Sequence, residues 1–162
     1  MRPSDNVAIV SPLLGKVTVP HVLREFGGIQ VDTRRWPILL LAFPDKPFSD
    51  VCLVDALTCI EGLLEPETKS FQITDASLVR WLPPATQRKY AADWAKRNDL
   101  LFRRRSVGGA NVITSALVRG VFTAIHWFKD PPTPTVFVAT REAAMARLQQ
   151  HTQRKQLKQQ SN

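Results

Sequence analysis

The chain has 162 residues, 44% hydrophobic and 22% charged, with a formal net charge of +8, which is the profile of one globular domain. A domain of this length buries about 70% of its unfolded surface, so neither disulfides nor metals are needed to hold it together. The longest apolar run, Trp36 to Phe43, is far short of the roughly 18 residues of a membrane span, and Met1 to Val10 lacks the apolar core of a secretion signal, so a cytoplasmic protein is expected.

Residues 1–26 mix short apolar patches with Pro3, Pro12 and Pro20 and read as an N-terminal arm, with room for one short strand or turn. Gly27 and Gly28 punctuate the chain. Ile29 to Asp32 alternates with period two, as a half-buried strand does. Thr33 to Arg35 fill a turn, and Pro37 to Phe43 is continuously apolar, as a central strand covered on both faces would be. Together these two segments predict a hairpin, with Leu39 and Leu41 on one face of the second strand and Ile38 and Leu40 on the other.

Ser49 or Asp50 can cap the next helix. In it, Leu53, Leu57, Ile60 and Leu64 draw one apolar stripe, and Pro66 ends it. Cys52 and Cys59 lie seven residues apart on this helix, about 10 Å of rise, which is too far for a disulfide. They read as small buried residues of a protein in a reducing compartment. Phe71 to Asp75 is a short strand. A second helix is expected from about Pro84 to Arg105, with Tyr90, Ala91, Trp94, Ala95, Leu101 and Phe102 inward. Gly108 and Gly109 read as a turn before a strand at Ala110 to Thr114. Ser115 caps a third helix striped by Leu117, Val121, Ile125 and Phe128 and widened by Val118 and Phe122. Thr135 to Ala139 is the last strand. Thr140 caps a final helix with Ala144, Met145 and Leu148 towards the core. Residues 151–162 form a polar, basic tail that either extends this helix in solvent or is disordered.

The resulting order, β-β-α-β-α-β-α-β-α, predicts an α/β domain over residues 27–150 with a mixed, mostly parallel central sheet flanked by helices. No chemistry motif stands out. The glycine pairs lack phosphate-loop or dinucleotide spacing. His21, His126 and His151 have no paired-ligand spacing, and there is no nucleophile elbow. Glu65 and Glu67 read as solvated acids at a helix end. No cofactor, metal or catalytic residue is therefore assigned.

Charge supplies the remaining signal: residues 1–70 carry a net −2 and residues 71–162 a net +10. Arg88, Lys89, Lys96, Arg97, Arg103, Arg104 and Arg105 all fall on the expected second helix. Of these, Arg97, Arg103 and Arg104 are the candidate partner-binding residues. They suit an acidic protein partner, or else nucleic acid or anionic lipid. The plain alternative is a solvated face whose positive end complements the helix dipole.

Several phrases carry a family resemblance: Trp36-Pro37-Ile38-Leu39-Leu40-Leu41, Asp93-Trp94-Ala95-Lys96-Arg97-Asn98, Val118-Arg119-Gly120-Val121, Trp127-Phe128 and Arg141-Glu142-Ala143-Ala144. With the element order, residues 29–148 resemble the STAS family, which includes bacterial anti-sigma-factor antagonists and the cytosolic domains of sulphate transporters. The resemblance implies a non-catalytic bacterial regulatory or scaffold domain working through protein contacts. A basic binding module and a small-molecule sensor with a pocket at the strand ends remain as alternatives. Phosphorylatable members of that family carry a serine in an Asp-Ser-Ser-Gly context before the second helix. Here that region reads Leu82-Pro83-Pro84-Ala85-Thr86-Gln87, with Ser77 and Thr86 the nearest hydroxyls, so the phospho-switch is not carried over.

Overall fold

The computed structural model describes residues 19–128 and 133–160. Its sheet contains β1 (Leu23–Phe26), β2 (Ile29–Asp32), β3 (Ile38–Ala42), β4 (Ser70–Asp75), β5 (Ser106–Val112) and β6 (Thr135–Val138), neighbouring one another in that order. β2 pairs antiparallel with both β1 and β3, and the three pairings from β3 to β6 are parallel. The helices are α1 (Asp50–Leu64), α2 (Ala85–Arg97), α3 (Asp99–Arg105), α4 (Ala116–Phe128) and α5 (Arg141–Gln160). The architecture is thus α/β with a mixed, mostly parallel sheet. Of the expected N-terminal arm, residues 1–18 lie outside the described residues, whereas Leu23–Phe26 join the sheet as β1.

Turn chemistry starts the sheet. Phe26 pairs with Ile29 across a two-residue turn in which Gly27 and Gly28 take φ of 57° and 94°. Two successive positive φ angles define the tight turn that matches strand twist, and glycine adopts them without a Cβ penalty.

The sheet divides the core. One face carries Ile29, Val31 and Leu39, which pack against Leu53, Leu57, Ile60 and Leu64 of α1, Trp94 of α2 and Phe102 of α3. The other carries Ile38, Phe71, Ile73, Ala110 and Val112 under Ala144, Met145 and Leu148 of α5. Leu41 packs on the first face and Leu40 on the second, as the alternation along the strand predicts. Ser49 Oγ caps α1 by accepting from Cys52 N, and Thr140 Oγ1 caps α5 by accepting from Ala143 N. Cys52 and Cys59 are free and half-buried rather than sealed in the core.

Three expectations need correction. The helix expected over 84–105 is two helices, because the chain breaks at Asn98. There the amide Nδ2 donates to Glu61 Oε1 of α1 at 2.7 Å and to Trp94 O at 3.1 Å. Ala95, expected to face inward, is exposed. On α4 the buried contact is made by Val118, with Phe122 beside it, while Leu117 faces solvent; the side chains of Ile125 and Phe128 lie outside the description. Gly108 and Gly109 are not a turn but part of β5. A Cβ on Gly109 would stand 3.2 Å from Gln72 O of β4 and 3.3 Å from Thr135 Oγ1 of β6. Glycine here permits close backbone approach within the sheet.

That geometry sets a test. Gly109→Val is expected to cost about 1–3 kcal/mol, because the obstructing atom is a ladder carbonyl that cannot swing away. Gly62→Ala is the counterpart: nothing lies within 4 Å of its added methyl, on a helix. It should stabilise by about 0.5–1 kcal/mol. Thermal melts of the two variants should therefore move in opposite directions.

Candidate functional site

The basic residues are placed separately. Arg97 lies in the last turn of α2, and Arg103 and Arg104 lie in the last turn of α3. All three are exposed. Arg97 sits 5.8 Å from the centroid of the Tyr90 ring, and Arg103 Nε is 3.0 Å from Asp99 Oδ2. Lys89 pairs with Asp93 at 2.7 Å and holds its carboxyl below the usual carboxylate range. Exposed pairs four residues apart on a helix contribute only about 0.3–0.5 kcal/mol, so a stronger anion can displace them. Asn98 divides these residues between two consecutive helices, with Arg97 on α2 and Arg103 and Arg104 on α3.

A different feature stands at the carboxyl ends of the parallel strands. A half-open cavity of about 100 Å³ opens between the loop after β4, α2 and α4. Phe43 and Phe48, which follow β3, form its floor with Trp81, in a stack of 5.8 Å and an edge contact of 5.2 Å between ring centroids. Gln87, Arg88 and Ala91 line it from α2, and Val118 and Phe122 line it from α4. The remaining lining, Leu53, Ala76, Val79, Pro83 and Val121, is apolar.

The surrounding loop is pinned by polar contacts. Asp75, at the end of β4, is 4% exposed at its side chain and accepts from Ser77 N at 2.9 Å and from Arg141 Nε at the start of α5. Burial pushes its carboxyl up, but the bonds from Ser77 and Arg141 outweigh that and hold it below the usual value. Arg80 donates to Ser77 O at 2.7 Å and to Thr114 Oγ1 at 3.0 Å, and Thr114 Oγ1 itself donates to Ser77 O. Arg119 on α4 donates to Ile113 O. This network holds the loop after β4 with Leu78 and Leu82 outward, 57% and 46% exposed, while Leu117 at the start of α4 is 54% exposed.

Leu78, Leu82 and Leu117 are exposed, as are Leu23, Val51, Leu100 and Phe137. The pattern Leu78, Trp81, Leu82 was readable only as loop, because no periodicity shows which side chains of a loop face out. Among the other candidates, His21 is exposed near Arg34 O at 3.3 Å, and the side chain of His126 lies outside the described residues. No group of three or more potential metal ligands occurs among the described residues. No family model, curated protein or solved structure matches the chain.

Proposed function

We propose that the chain is a non-catalytic, STAS-like regulatory or scaffold domain of the bacterial cytoplasm that works through contacts with an acidic protein partner. The observation that carries this reading is the apolar end of the sheet, where Leu78, Leu82 and Leu117 stand exposed beside an apolar cavity. Arg80 and Arg119 are exposed on the same end and supply the positive rim that an acidic partner needs. This reading puts the contact surface on the loops that follow β4 and β5, with Arg97, Arg103 and Arg104 as the alternative site.

The cavity also gives the small-molecule sensor a specific footing, but its size argues against that role. Sites for free ligands typically enclose about 300–1,000 Å³, against about 100 Å³ here. Binding of nucleic acid or anionic lipid would rest on the basic residues of α2 and α3.

One experiment separates these readings. Affinity capture from the native host is run with the wild-type chain, the Leu78→Asp/Leu82→Asp pair and the Arg103→Glu/Arg104→Glu pair. All three are first shown folded by circular dichroism. The leucine pair is expected to lose the partner and the arginine pair to keep it. Full recovery with the leucine pair removes this surface from the interface. Loss with the arginine pair alone returns the site to α3.

A further inference from the structure

The later turns of α5 carry charge of one sign only. α5 has 20 residues, about 30 Å at 1.5 Å per residue. β5 has seven residues, about 23 Å. Arg141 at the start of α5 bonds Asp75 at the carboxyl end of β4, and Ala144, Met145 and Leu148 then cover the sheet. The last turns therefore overhang the sheet at the end opposite to Leu78, Leu82 and Leu117.

From Ala143 onward the chain has no Asp or Glu, and it has four cations, Arg147, Arg154, Lys155 and Lys158, among six glutamines. On α2 and α3, by contrast, Lys89 and Arg103 find acids on their own helices. Arg154 and Lys158 stand four residues apart, a spacing at which like charges destabilise a helix. A helix that is polar all round and has no acid to pair along it gains from an outside anion. Arg147, Gln149, Gln150, Gln153 and Arg154 are all exposed. At about 3.6 residues per turn, Arg147, Gln150 and Arg154 share one line, with Gln149 and Gln153 beside it.

The composition of this face selects the anion. A protein interface centres on apolar and aromatic anchors, and residues 149–160 hold one hydrophobic residue, Leu157. A membrane surface needs a helix with an apolar face. Single-stranded nucleic acid is held by stacking on aromatic rings, and this stretch has no Phe, Tyr or Trp. Duplex DNA needs cations for its phosphates and side-chain amides for its base edges, with glutamine suited to adenine. Its major groove admits an α-helix, whereas that of duplex RNA is too deep and narrow to be read. We infer that the exposed face of α5 from Arg147 onward is a docking helix for the major groove of duplex DNA, with Arg147 and Arg154 on phosphates and the glutamines towards the bases. This assigns DNA to α5 rather than to α2 and α3, and it stands apart from the leucine surface at the other end of the sheet.

The test uses the purified full chain and a short fluorescein-labelled DNA duplex of mixed sequence, followed by fluorescence anisotropy. Binding is expected, with log Kobs falling against log salt at a slope of about −3, as three or four phosphate contacts imply. Arg147→Gln/Arg154→Gln removes two of those contacts and keeps good helix formers. It should bring the slope to about −1 and weaken binding by about tenfold at low salt. An unchanged thermal melt shows that its fold survives. Should this pair fold poorly, the wild-type chain supplies a second readout, since duplex RNA of the same sequence is expected to bind about tenfold more weakly. Arg103→Glu/Arg104→Glu should bind DNA as wild type does.

No binding at about 50 mM salt, or an unchanged slope in the α5 pair, overturns the docking helix. Loss of binding in the α3 pair alone assigns the DNA to α3 instead. Equal affinity for duplex RNA rejects the groove, and equal affinity for phosphatidylserine vesicles rejects DNA as the partner. Each of these failures leaves the leucine surface standing, because that surface is read by partner capture with the Leu78→Asp/Leu82→Asp pair.

Discussion

Leu39→Asp is expected to abolish cooperative folding. Leu39 is 2% exposed on β3, with β2 and β4 on either side and α1 above it. A carboxylate there has no described counter-ion and no route to water past α1. Burying it costs several kcal/mol, or else it stays protonated at neutral pH. Either way the loss is a large share of the roughly 5–15 kcal/mol that holds a domain of this kind together. Leu39→Ala provides the calibration, with an expected loss of about 2–5 kcal/mol from the cavity it leaves. Leu40→Asp should be milder, because Leu40 is half-buried on the opposite face, where the new carboxylate has a shorter way to solvent. Urea unfolding followed by circular dichroism ranks the three. A Leu39→Asp transition within a few degrees or tenths molar of wild type would show that α1 does not seal that face.

Asp75→Asn should cost about 1–3 kcal/mol at neutral pH, since it replaces charge-assisted bonds by neutral ones at a buried site. The pH dependence is the sharper test. The folded chain holds this carboxyl below its unfolded value. Its contribution is therefore complete above the unfolded pKa of about 3.9 and is lost as pH falls through the lower folded value. The gap between wild type and Asp75→Asn should be flat from about pH 7 to pH 5, shrink below about pH 4, and close once the folded carboxyl is protonated. A gap that stays constant down to pH 2 would assign the effect to packing rather than to charge. The same variant should loosen the loop that carries Leu78 and Leu82, because Asp75 ties Ser77 to Arg141.

How much of this was readable from the residues follows the physics of each element. Period two along Ile38 to Leu41 and steps of three and four along Leu53 to Leu64 report burial directly, and both faces of β3 and the inner face of α1 lie where those periods put them. The Ser49 and Thr140 caps are local bonds between neighbours and are equally visible. The break at Asn98 was not, because its partner Glu61 lies 37 residues away and helix propensity alone carries straight through it. Gly108 and Gly109 look like a turn until β4 and β6 are known to flank them. The exposed leucines at this end of the sheet were the least visible, since no period in the residues shows which side chains of a loop face outward. The run of arginines drew attention to α2 and α3 because charge is conspicuous in a sequence, whereas the outward placement of Leu78, Leu82 and Leu117 is set by a network centred on Ser77 and Thr114.

The sequential strand order bears on how the chain is made. Each strand is laid beside the one synthesised just before it, so most of the sheet can assemble as the chain leaves the ribosome, without waiting for a distant segment. The exception is the face bearing Ile38, Phe71, Ile73, Ala110 and Val112. Its cover is α5, which follows β6 in the chain and so emerges after every strand of the sheet. A nascent chain halted after Val138 would present a finished sheet with one greasy side bare. Such a truncated product would be a target for chaperones and prone to clump with its neighbours on a polysome, until Ala144, Met145 and Leu148 emerge to close it.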